Sequence, residues 1–224
     1  MTHARLLAVA TAAVLTLGAA GLAACGGDDE AGSGTASTAP AGANGTDLAF
    51  AADMIGHHDM AVQMAETAKE NASRDEIVEL ADAIITTQTA EKAQLEKAQS
   101  RLTDEGLKPE DLGMSDAEMG MDMDMDMLTS SAAFDRTFID MMVPHHQGAI
   151  RMARIELARG KDPELRSLAE AVVAAQSKEI EQMNAWRKQW YGAVSPVGGV
   201  PEEDEIKPSS DDPGMGHDMG GDGQ

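Results

Sequence analysis

The stretch Phe138-Ile139-Asp140-Met141-Met142-Val143-Pro144-His145-His146-Gln147-Gly148-Ala149-Ile150-Arg151-Met152-Ala153 spaces Phe138, Met142, His145, Ala149 and Met152 three and four residues apart. That is the period of a helix with one apolar face, and the histidine pair projects from that face. The pattern occurs once before. Phe50, Met54, His57, His58, Ala61, Met64 and Ala65 match Phe138, Met142, His145, His146, Ala149, Met152 and Ala153, at a constant offset of 88. Four of the 6 histidines of the chain stand in these two pairs.

Working outward, each histidine-bearing segment is followed by a second periodic segment. The first helix is expected over 47–71. Ser73-Arg74-Asp75-Glu76 is a capping-box pattern that restarts a helix after a tight turn. Its stripe runs Ile77, Ala81, Ile84, Gln88, Glu91, Leu95, Ala98, Leu102. A third helix is expected from Ser131 to Arg159. Asp162-Pro163-Glu164 then supplies an N-cap with proline at the first helical position. The fourth runs to Tyr191 with the stripe Leu165, Ala169, Val172, Gln176, Glu179, Met183, Trp186, Trp190. Gln176 and Glu179 interrupt it where Gln88 and Glu91 interrupt its counterpart. No strand pattern occurs, so the expected fold is all-α: a four-helix bundle over 47–191 built from two repeated helical hairpins.

Between the hairpins, 105–130 is a long connection rich in methionine. Met121, Met123, Met125 and Met127 alternate there with Asp122, Asp124 and Asp126. Long connections tend to be functional, and a segment of this kind reads as a capture site for Cu(I). At the N-terminus, residues 1–24 have the form of a secretory signal, ending Leu22-Ala23-Ala24 before Cys25. That ending resembles a lipobox, so Cys25 is the expected lipidation site and the mature chain is expected to be lipid-anchored in the cell membrane on its extracytoplasmic face. Residues 25–46 read as a flexible tether and 192–224 as a disordered acidic tail.

A single cysteine leaves no disulfide framework and no thiolate metal site. A net charge of −22 argues against nucleic acid as a partner and favours cations. Aromatic residues make up only 3% while methionine numbers 16, so soft-metal chemistry falls to methionine and histidine. Counting across each turn sets each histidine pair opposite a glutamine, with a glutamate one turn further. The expected metal set is therefore His57, His58, His145 and His146, with Met54, Met142, Glu91, Glu179, Gln88 and Gln176 around them. Mixed imidazole and thioether donors suit copper, as Cu(I) or Cu(II).

Met54-Ile55-Gly56-His57-His58 and Met142-Val143-Pro144-His145-His146, each followed by Ala and Met-Ala, resemble the hallmark of the domain of unknown function 305 family. The resemblance covers about 47–191. It implies a ferritin-like bundle and, from some members, a periplasmic or secreted copper-binding role in copper homeostasis or resistance, with a copper-handling protein as a conceivable partner. The Glu-x-x-His tetrad of di-iron bundles is missing, and so are H-E-x-x-H, nucleophile-elbow and phosphate-loop motifs. Binding and buffering of metal is thus favoured over catalysis. A metal-dependent oxidase and a metal-free structural or interaction bundle stand as alternatives.

Overall fold

The computed structural model describes residues 42–203. Five helices follow in order: α1 (Gly45–Asn71), α2 (Asp75–Asp104), α3 (Met125–Ser130), α4 (Phe134–Arg159) and α5 (Pro163–Tyr191). Four are long and form the bundle; α3 is a six-residue turn of helix inside the connection. There is no strand among the described residues, and no helix there is long and apolar enough to cross a membrane. The segments read as signal peptide and most of the tether, with Cys25, lie outside the described residues, as does 204–224.

The helix starts are chemically explicit. The Asn44 side chain accepts from the backbone N–H groups of Thr46 and Asp47, and Asp47 returns a bond to the Asn44 N–H, closing a capping box. The expected tether is therefore shorter than 25–46, because its last residues already belong to α1 and its cap. Asp162 caps α5 as expected, accepting from Glu164 and Leu165 ahead of Pro163. The capping box expected at Ser73 does not form. Arg74 is the N-cap of α2 and makes no side-chain cap bond, because the Ser73 N–H is drawn instead to Asp135 Oδ1 at 2.9 Å. Nor does the third long helix begin at Ser131, whose hydroxyl is engaged with that of Thr137; α4 starts at Phe134.

α1 pairs with α2 and α4 with α5, and the two hairpins meet chiefly through α1 and α4. The central pair is antiparallel: Asn44, before α1, donates to the carbonyl of Arg159, the last residue of α4, at 2.9 Å. Two apolar clusters fill the bundle. One contains Met64, Ile84, Phe138, Met142, Ile180 and Met183. The other contains Phe50, Met54, Leu95, Met152, Leu165 and Val172. In sequence, each helix passes from one cluster to the other through its histidine pair or its Gln-x-x-Glu. The polar residues thus form one layer between two apolar ones.

Residues 192–203 correct the reading of a tail free from 192 onward. Arg187 grips Asp140 with two nitrogens and donates to the carbonyls of Ala193 and Val194 at 2.8 and 2.9 Å. Asn184 exchanges bonds with Gly198 and Ser195, and Gln147 donates to the carbonyls of Val197 and Gly199. A Pro- and Gly-rich composition said nothing of these partners, which are backbone groups that any sequence offers.

Candidate metal centre

His57 and His145 arrive from α1 and α4 at the crossing of the central pair. Their rings stack with centroids 3.6 Å apart and planes tilted by 37°. Both are wholly buried, as are His58 and His146. The outer histidine of each pair reaches across its own hairpin. His58 Nε2 lies 2.9 Å from Glu91 Oε2 and His146 Nε2 lies 2.6 Å from Glu179 Oε2. The two pairings are related by the same offset of 88. The carboxylates keep a small exposed fraction, 15% and 18% of their side chains, so each links a buried imidazole to solvent.

Hydrogen-bond direction sets the tautomers. A carbonyl oxygen only accepts, so His57 Nε2, 3.0 Å from the Met119 carbonyl, carries the proton. Its Nδ1 then holds a lone pair. His58 and His146 donate from Nε2 to their glutamates, which likewise leaves Nδ1 free of the bond. The Nδ1 atoms of all four histidines are buried without a partner, and so is His145 Nε2. Burial first, then the neighbouring imidazoles, pushes His57 down to about 3, and the same causes hold His145 well below the ordinary histidine value. At neutral pH both are uncharged, which is the form that ligates a metal.

The other expected residues fall into place unequally. Gln88 and Gln176 are buried at 2% and 3% exposure, yet neither the amide nitrogen nor the oxygen of either has a partner. Met54 and Met142 are fully buried on opposite sides of the polar layer, one in each apolar cluster, because the helices that carry them are antiparallel. The loop methionines are not gathered. Met123 and Met125 pack on the core cluster beneath α3, Met121 lines a pocket beside His57, and Met127 is 53% exposed. The segment therefore buries part of its methionine side chains against the bundle. From Met121 to Asp124 the chain is non-helical, with methionine half-buried and aspartate outward, before α3 begins at Met125. Among the described residues no three His, Cys, Asp or Glu side chains converge as a ready-made metal set. What does fit a metal is the set of buried and unpartnered imidazole nitrogens, with fully buried thioethers on either side.

Two features escaped the sequence reading. Met119 touches the site through its backbone, which no side-chain pattern reveals. The signal was glycine. A side chain at Gly148 would collide with the Met119 carbonyl, and Gly120, at φ +70°, rests on the backbone of Pro144 and His145. The second is the buried pair Asp47 and Asp135, again 88 apart. Asp47 Oδ1 accepts from the N–H groups of Lys161 and Asp162 in the turn of the second hairpin. Asp135 accepts from Ser73 in the turn of the first. Comparing the chain with itself for charged as well as apolar positions finds this pair.

The sequence profile of the family described as Domain of unknown function (DUF305) matches residues 47–187, and matches again over 135–221. The chain belongs to the DUF305 family. The two matches begin at Asp47 and Asp135, the equivalent clamp residues. Among solved structures, CopM in its Cu(I)-bound form is 34% identical with a TM-score of 0.55, over 65% of this chain and 98% of CopM. CopM in its Cu(II)-bound form is 33% identical with a TM-score of 0.56, again over 65% and 98%. A DUF305 fragment from Deinococcus radiodurans is 26% identical with a TM-score of 0.56, over 66% and 99%. Among curated proteins, uncharacterized protein L153 of Acanthamoeba polyphaga mimivirus is 37% identical over 51 residues, 23% of this chain and about a third (34%) of that protein's length.

Proposed function

We propose that this protein binds and buffers copper outside the cytoplasm, tethered to the cell membrane through a lipid on Cys25. The observation that carries the reading is the stacked pair His57 and His145, neutral and buried, in a layer whose Nδ1 atoms have no partner. Buried polar atoms without partners cost about 1–3 kcal/mol each, so a layer kept only for structure would be expected to satisfy them. A bound cation would satisfy imidazole lone pairs that the protein alone leaves empty.

His57, His58, His145 and His146 would offer their unpartnered Nδ1 atoms as donors to copper, with Met54 and Met142 available as soft donors on either side of the layer. Glu91 and Glu179 act one step back. Each accepts the Nε2–H of a histidine, which fixes its tautomer, orients the ring and makes Nδ1 the more basic donor. The ion is cargo in this reading, and the residues do no bond-making chemistry. Similarity to CopM, crystallised with Cu(I) and Cu(II), supports copper as the ion.

The test is a titration with Cu(I) and Cu(II) of the wild type and of a variant with all four histidines changed to alanine. Loss of tight binding in the variant supports the site, and undiminished binding removes it. Fractionation of cells carrying Cys25→Ser tests the anchor, which predicts release of the protein from the membrane.

A further inference from the structure

α2 and α5 make few contacts with each other, so the side of the bundle between them is open along part of its length. On the half nearer Pro163 this leaves a surface groove of about 640 Å³. Its walls include Glu91, Lys97 and Ala98 of α2 and Glu164, Leu165 and Leu168 of α5. The offset of 88 gives the equivalent wall at the other end of the bundle. There Leu165 and Leu168 become Ile77 and Leu80, and Ala98 becomes Trp186.

In that half the space is filled. Trp186 packs against the apolar cluster that contains Ile77 and Leu80. Its ring stacks on that of Trp190, with centroids 5.5 Å apart and planes within 8°. The Arg74 guanidinium covers Trp190 at 4.2 Å from the ring centre. The open half has neither partner: Trp190 corresponds to Leu102, which is wholly buried, and Arg74 to Asp162. One half thus supplies an indole and a cation from its own sequence, and the other stops at the Cβ of Ala98.

The open groove also has a sign. Glu91 and Glu164 stand on its walls against Lys97, on a chain of net charge −22. Glu164 is 73% exposed, and its link to Arg101 is long at 3.9 Å. Acidic rims favour basic partners, and a ring seated among aliphatic side chains, next to a charged group, is a common anchor of protein interfaces. Neither 1–41 nor 204–224 contains Phe, Tyr or Trp, so neither end of this chain can supply the ring.

We propose that the groove between α2 and α5 is a docking site for a basic protein segment presenting an aromatic side chain beside an arginine or lysine. That is the combination which Trp186, Trp190 and Arg74 provide in the other half. Glu91 lines the groove and also accepts from His58, so a docked partner sits against a residue that touches the buried layer. The docking itself does not depend on the copper reading.

The test is a nitrogen–proton correlation NMR titration of the whole chain with acetyl-Trp-Arg-amide, beside acetyl-Ala-Arg-amide and acetyl-Trp-Glu-amide. Saturable shifts confined to the amides of 91–98 and 163–171 are expected with the first peptide, none with the second and weaker ones with the third. Ala98→Trp, which puts an indole where the other half has one, is expected to abolish the shifts and raise the melting temperature. Ser167→Arg, on the exposed wall of the groove, is expected to weaken binding and leave the core untouched. Equal shifts from the peptide without a ring, or undiminished binding in both variants, would overturn the site. Shifts of the same amides on concentrating the protein alone would also overturn it, assigning the groove to a second copy through its exposed Tyr191.

Discussion

His57 and His145 lie 88 residues apart in sequence and stack at 3.6 Å in the middle of the bundle, and His145 has no hydrogen bond at either ring nitrogen. A side chain kept there for packing could be apolar. His145→Leu is therefore expected to raise the stability of the metal-free protein by about 1–2 kcal/mol, the scale of relieving a buried unsatisfied group, while weakening copper binding. Urea denaturation of the metal-free variant checks this. A loss of stability would show that the imidazole contributes to folding.

Glu91 and Glu179 give a test of orientation as distinct from ligation. Glu91→Gln or Glu179→Gln keeps the shape and removes the charged acceptor from His58 or His146. Outer partners of this kind typically contribute about 10–100-fold in metal affinity, and a loss in that range is expected with an unchanged helical spectrum. An unaltered dissociation constant in both variants would detach the carboxylates from the site.

Glu156 is fully buried beside Asp47 and is pushed up to about 9, first by burial and then by that carboxylate. The folded state thus holds a proton that the unfolded chain releases near the ordinary glutamate value of 4.5. Stability from this group is complete below that value and is lost progressively as pH rises towards about 9. Glu156→Gln cannot ionise, so melting temperature followed across that range should fall with pH in the wild type and fall less steeply in the variant. Parallel curves would remove the role assigned to Glu156.

Gly148 admits the carbonyl of Met119, whose acceptor bond fixes His57. Gly148→Ala has no flexible neighbour to displace, since the obstacle is backbone. The expected result is a loss of about 1–3 kcal/mol, as for overpacked sites, with faster proteolysis within 113–124. Preserved protection of that segment would mean the bundle shifts instead.

The all-α bundle, the two hairpins and the identity of the buried polar layer were legible because they repeat, and repetition exposes side chains that share a period and a face. The pairing of His58 with Glu91 follows from counting across a turn, whereas the same counting does not separate Gln88, which ends without a partner. What stayed hidden depends on backbone atoms. Met119 acts through a carbonyl, 192–203 is held by carbonyls, and Ser73 is diverted by an amide, and none of these groups varies with residue type. The packing of Met123 and Met125 stayed hidden for a related reason. Their alternation is visible, but the surface on which Met123 and Met125 lie belongs to helices distant in sequence.

Asp47 and Asp135 each close the turn of the hairpin to which they do not belong. Tandem repeats ordinarily lose structure one unit at a time, since each contacts only its neighbour. Here neither half can finish its own turn alone. The duplicated chain is accordingly a single cooperative unit: its halves should melt in one transition, and either hairpin produced by itself should lack a defined fold. Duplication multiplied the parts, and the exchange of clamps made them inseparable.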